Sequence, residues 1–81
     1  GRIQRDAGEG SVATARRGTR RVYFGDNEGW IETPVYHRDA LPIEACLDGP
    51  VVVDEMSATT LVMPWQQVRV DPLGNLIIEA A

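Results

Sequence analysis

From Pro50 to Glu79 the chain runs "PVVVDE", "ATTLVMP", "QQVRVD" and "NLIIE", four short β-branched or apolar stretches with turn residues between them. Runs of this length and composition suit strands, and no window of the chain sustains a 3.6-residue apolar period. Strand signals recur every 8 to 12 residues, so the chain is expected to be all-β: a small barrel or sandwich of about six or seven short strands. "DPLGN", with Pro72 second and Gly74 and Asn75 at its end, carries the chemistry of a tight reversal. That reversal places Val68, Val70, Leu76 and Ile78 on one face.

Upstream, "RRVYFG" alternates Val22 and Phe24 against Tyr23 as a half-buried strand does, and "DNEG" supplies a turn. "WIETPVYHR" is a second strand, in which Pro34 predicts an edge position or a bulge because proline donates nothing to a ladder. "RDALP" predicts a single helical turn ending at Pro42, and "IEACL" a short strand before the turn "DGP". Residues 1–19, "GRIQRDAGEGSVATARRGT", hold four glycines and no periodicity; they are expected to be a flexible leader, with the β domain over residues 20–81. No Met opens the chain and "GRIQRDAGEG" lacks the apolar core of a signal peptide, so a segment of a longer protein is expected.

Composition excludes several function classes. The 81 residues allow one domain with one small core, and no apolar run nears the ~20 residues of a membrane helix. A lone cysteine, Cys46, forms no internal disulfide; in a segment expected to be buried it is read as a packed thiol, which fits a reducing, cytoplasmic setting. All eight basic residues are arginine. Without lysine the chain houses no biotin or lipoyl carrier site, no phosphate-binding loop of the P-loop type and no Schiff base. Residues 1–21 carry a net +4 and residues 22–81 a net −8. An acidic body argues against nucleic acid as a partner, while the arginine-rich leader suits a solvated linker or contact with an anion.

Candidate chemistry is sparse. His37 and Asp39, two positions apart, share a face if both lie on a strand, but no nucleophile is near them in sequence, and a structural or surface role is expected. "DEMSATT" offers Asp54, Glu55, Ser57, Thr59 and Thr60 without the acid spacing or the glycine of a calcium loop, and reads as a strand connection whose hydroxyls serve the backbone. "GEGSVA", with Gly8, Gly10 and Ala13, has no strand before it and is not a dinucleotide turn. Trp30 and Trp65 read as core or interface anchors. No catalytic, cofactor-binding or metal-ligating residue is assigned.

Three ordered blocks, "TPVYHRDAL", "GPVVVDEMSATTLVMP" and "VRVDPLGNLII", resemble the C-terminal segment of the hydantoinase A / 5-oxoprolinase family, over about residues 20–79. Pro34, Tyr36, Arg38, Leu41, Gly49, Pro50, Glu55, Thr59, Thr60, Asp71, Gly74 and Asn75 fall on that family's pattern. His37 stands where the family usually has Asp, Glu44 where Gly is common, and Trp65 where Gly follows a Pro pair. A tryptophan tolerates positive φ poorly, so the turn at Trp65 is expected to be less strained than a glycine turn.

The resemblance implies a cytoplasmic enzyme subunit that uses ATP, with a divalent metal, to open cyclic amides such as hydantoins or 5-oxoproline, with acetone and acetophenone carboxylase subunits as relatives. It places ATP binding in an actin-like part upstream, leaving no cofactor in this segment. Its partners are then the remainder of the parent subunit and a second hydantoinase-type subunit, and Trp30, Trp65 or Tyr36 are candidate anchors against them. The segment alone is expected to be catalytically inactive. The competing reading is a stand-alone binding barrel whose arginine-rich leader recruits an anionic ligand.

Overall fold

A computed structural model describes Val12 and residues 14–81. Among these lie seven strands: β1 (Arg16–Tyr23), β2 (Trp30–His37), β3 (Cys46–Asp48), β4 (Val51–Glu55), β5 (Ala58–Val62), β6 (Gln66–Val70) and β7 (Leu76–Ala80). They form a four-stranded sheet in the order β1-β2-β4-β5 and a three-stranded sheet in the order β3-β6-β7. Of the barrel or sandwich expected for an all-β chain, the described residues form two packed sheets, a sandwich, and the expected helical turn is a 3-10 turn over Arg38–Ala40.

One crossover sets the topology. After β2 the chain leaves the first sheet, contributes β3 to the second, and returns as β4 parallel to β2, with Val35 beside Val52 and His37 beside Asp54. Every other pairing is antiparallel. Paired on both edges by β2 and β5, β4 alternates its side chains between its two faces, and Val51, Val52 and Val53 are all buried. Burial on both faces explains why "VVV" is a continuous apolar run and not an alternating one. Val51 and Val53 join Ala15, Leu41, Val62, Val68 and Val70 in the core between the sheets, with Tyr36, Leu47 and Leu76 packed on its margin. Each fully buried valine contributes roughly 1.5–3 kcal/mol of apolar transfer.

The β6–β7 register sets Val68 opposite Ile78 and Val70 opposite Leu76, the shared face that the alternation predicts. Val68 and Val70 are buried, whereas Ile78 lies at the exposed margin.

Three expectations are corrected. The first strand starts at Arg16, inside the range read as leader, and Ala15 is fully buried in the core, because an antiparallel partner in β2 organises an arginine-rich sequence that has no strand pattern of its own. The expectation for residues 1–11, and the glycine motif of Gly8, Gly10 and Ala13, lie outside the described residues. The edge or bulge expected at Pro34 takes a local form in an inner strand: among the described residues Trp30–Pro34 pairs with β1 alone, pairing with β4 begins at Val35, and the β1–β2 register shifts between Arg16 and Gly18, opposite Tyr36 and Val35. "IEACL" is strand only from Cys46, since Ile43 and Glu44 form a turn closed by the Ala45 N–H donating to the Pro42 carbonyl (3.1 Å). Cys46 itself is exposed; the pleat turns Leu47 toward Val68 and leaves Cys46 and Asp48 outside.

Candidate functional site

Parallel pairing brings the C-terminal ends of β2 and β4 side by side, so His37 and Asp54, 17 positions apart in "HRDALPIEACLDGPVVVD", become neighbours. Asp39 in the 3-10 turn, Arg17 near the start of β1, and Glu55 and Met56 at the end of β4 complete the lining of an open cleft of about 410 Å³. His37–Asp39 and "DEMSATT" are thus one site in space. Asp39 is not on a strand with His37, as the i, i+2 argument required, but both face this cleft.

Asp54 is the most engaged group. It accepts from the Thr59 hydroxyl (3.0 Å) and from the Arg20 guanidinium (3.0 Å). The Thr59 hydrogen bond, then that of Arg20, holds its carboxyl below the ordinary carboxylate range, and His37 adds a smaller attraction. Asp54 is therefore an ionised acceptor at neutral pH and no proton donor. Thr59 serves a carboxylate and not the backbone, which corrects the expected role of that hydroxyl. On the other side of Asp54, His37 has a fully buried Nδ1 with no hydrogen-bond partner among the described residues. Ser57 lies in the exposed turn after β4 and Cys46 is in the other sheet, so among the described residues the cleft brings together no nucleophile and base. Arg17, Arg20 and Met56 were not legible in sequence as members of this site, because a lone arginine 34 positions from its carboxylate leaves no local signal.

Most of the family-pattern positions lie elsewhere and hold the scaffold. Asp71 organises the β6–β7 turn: its Oδ1 accepts from the backbone N–H groups of Asn75 (2.7 Å) and Leu73 (2.9 Å). The Asn75 backbone bond, the largest cause, lowers the Asp71 pKa. Gly74 sits at φ +87°, and its carbonyl accepts from Arg38, which ties the 3-10 turn to this reversal. Gly49 precedes Pro50 in a cis peptide bond and approaches the β5–β6 corner so closely that an added Cβ would overlap the Met63 carbonyl. Tyr36 packs at the core margin and is no exposed anchor. Thr60 pairs with Val53 inside the first sheet. Glu55, Thr59 and the variant position His37 are the ones at or beside the cleft.

Glu44 takes φ +73°, the only positive φ of a non-glycine residue among the described residues, which gives the physical reason for glycine in the family pattern there. Trp65 is not in that region, as expected for a relaxed turn.

For ATP or a divalent metal the described residues provide no fitting site. No group of three or more His, Cys, Asp or Glu side chains is placed to hold a metal, and the carboxylates of the cleft face a chain without lysine or a glycine-rich phosphate loop. No helix among the described residues is long and apolar enough to cross a membrane.

Comparison with known proteins agrees with the blocks quoted above. The chain is 43% identical over 60 residues to an uncharacterized protein of Methanocaldococcus jannaschii, covering 74% of this chain and 8% of that one. It is 33% identical over 63 residues to the acetophenone carboxylase gamma subunit of Aromatoleum aromaticum, covering 78% and 9%. Among solved structures, the ATP-dependent caprolactamase from Pseudomonas jessenii matches with a TM-score of 0.77 at 28% identity, over 86% of this chain and 10% of that one. The chain thus spans about a tenth or less of the length of these relatives. A model of the hydantoinase/oxoprolinase C-terminal domain matches residues 2–74. With that match over nearly the whole chain, and the sandwich shared with the caprolactamase, the protein belongs to the hydantoinase/oxoprolinase C-terminal domain family.

Proposed function

We propose that the chain is a structural and interface domain of a longer, cytoplasmic, ATP-dependent enzyme subunit that opens cyclic amides of the hydantoin or 5-oxoproline type. In this reading ATP and a divalent metal are held by the remainder of the subunit, and a second hydantoinase-type subunit completes the enzyme. The carrying observation is where the family-pattern residues lie. Arg38, Gly49, Asp71, Gly74 and Asn75 hold turns and corners together, and among the described residues the cleft at His37 and Asp54 contains no nucleophile, base and phosphate-binding set. The names of the relatives, a carboxylase subunit and an ATP-dependent caprolactamase, support ATP-coupled amide or carboxylation chemistry for the parent. A stand-alone module with an arginine-rich tail has less support, since four of the six arginines in residues 1–21 belong to β1.

Two measurements test the reading. A reading frame continuing several hundred residues upstream of Gly1 is expected; a start codon immediately before it favours the stand-alone module. The purified 81-residue chain, incubated with ATP, magnesium and a panel of cyclic amides, is expected to release no phosphate. Substrate-dependent turnover that disappears on changing His37, Asp54 or Glu55 would make the cleft an active site and overturn the proposal.

A further inference from the structure

The β1–β2 hairpin reaches beyond the sandwich. Only Val35–His37 of β2 pairs with β4, while Trp30–Pro34 pairs with β1 alone. Two strands with no further support are marginal in water. The two faces of this overhang differ. One carries Val22, Ile31 and Thr33, and Thr33 is fully buried with its hydroxyl donating to the Ile31 carbonyl (2.9 Å). The other carries Tyr23 and Arg21 on β1 opposite Trp30 and Glu32 on β2. Along β2 it continues inward through Pro34 to Tyr36, which packs on the core, so the exposed patch is an outward extension of the sheet face that the second sheet covers further in.

This patch has the composition and rigidity of an anchor. Trp30 is 59% and Tyr23 48% exposed, on cross-strand partners whose rings stand 5.3 Å apart at 50°. The Arg21 guanidinium lies 5.3 Å from the Trp30 ring centre, and the Tyr23 hydroxyl donates to Asp26 (2.5 Å). Trp, Tyr and Arg are the residue types that dominate interface energetics, and rings already held by neighbours lose little freedom on docking. On this face Arg21 stands opposite Glu32, while Arg20, on the other face, is paired with Asp54; no strand of the described residues pairs with the outer edge of β1.

We propose that the outer half of the β1–β2 hairpin docks, through Trp30, Tyr23 and Arg21, into an apolar slot on the remainder of the same subunit. This deepens the reading of the chain as an interface domain and rests on it. The occupant follows from two observations: relatives roughly ten times as long as this chain, and a patch that continues a core face.

Hydroxyl-radical footprinting of the full-length subunit tests the assignment. Labelling of Trp30 in the native subunit, relative to the denatured one, is expected to fall by about tenfold or more, because an anchor of this kind is fully desolvated when docked. Trp30→Ala is expected to shift the docking equilibrium by about thirtyfold, releasing the domain to protease and speeding amide exchange in β1 and β2, with Trp30→Phe largely restoring protection. Leu73→Ala, on the exposed β6–β7 turn, changes neither. Trp30 is exposed, so its truncation leaves the core intact and release reports docking and not unfolding. Labelling of Trp30 at the rate its free-domain exposure implies overturns the assignment, and if the domain still resists release it leaves the interface reading standing through another face. Protection that appears only at high protein concentration, or only when a second subunit is added, also overturns it in favour of those occupants. Absence of any longer subunit removes both proposals.

Discussion

Replacing Glu44 with glycine is expected to stabilise the domain. Glu44 is the third residue of the turn Pro42–Ala45 and sits at φ +73°, the signature of a type II turn. It is held there on both sides: its own N–H donates to the Val70 carbonyl (2.8 Å), and the Val70 N–H donates to the Ala45 carbonyl (2.9 Å). The turn cannot relax without giving up the pairing that leads into β3. A residue with a Cβ in the left-handed region costs roughly 1–2 kcal/mol. Glycine removes that cost but adds about 0.5–1 kcal/mol of backbone entropy to the unfolded chain, leaving a net gain of about 0.5–1 kcal/mol.

For a domain of this size such a gain raises Tm by about 2–8 °C. The Glu44 side chain is exposed and makes no hydrogen bond or ion pair among the described residues, so Glu44→Ala, which keeps the Cβ, is expected within about 0.5 kcal/mol of the parent. Urea unfolding of the three proteins at pH 7, followed by circular dichroism, measures both differences. A glycine variant no more stable than the alanine variant would refute the strain argument.

Gly49→Ala forces a Cβ onto the Met63 carbonyl, a backbone atom that cannot swing away, and is expected to destabilise by about 1–3 kcal/mol in the same urea assay. Val68→Ala empties a fully buried core position and is expected to cost about 2–3 kcal/mol, whereas Ile78→Ala, its cross-strand partner at the exposed margin, costs clearly less; equal losses would contradict the placement of the core. Asp71 has a folded-state pKa below its unfolded value, so its contribution is present above the unfolded pKa near 4 and is lost as pH falls through the folded one. Stability measured from pH 6 to 2 should therefore fall more steeply for the parent than for Asp71→Asn, and parallel curves would show that the turn does not depend on the carboxylate.

Local chemistry made much of the fold legible. The β-branched runs, the turn "DPLGN", the single helical turn after His37 and the common face of Val68, Val70 and Leu76 each follow from residue type and spacing over fewer than a dozen positions. β1 was less legible, since "RRGTRRVY" carries little strand pattern in its first half and is organised by pairing with β2. Glu44 shows a similar limit: its departure from glycine could be seen in the pattern, but only the bonds to Val70 and from Ala45 fix the φ that makes the departure costly.

The sequence by itself determined the all-β class, the family and the exclusion of lysine-dependent chemistry, because these rest on composition, short-range periodicity and ordered blocks of residues. Tertiary structure alone decided what those residues face. Whether "VVV" is buried on one side or two depends on what packs on each face of the first sheet, and whether Trp30 belongs to a core or a surface depends on where the second sheet ends. The meeting of His37 with Asp54, and of Arg20 with the same carboxylate across 34 positions, depends on the parallel return of β4 beside β2. That return is driven by the burial of valines distributed over both sheets, a property of the whole packed chain that no local stretch encodes.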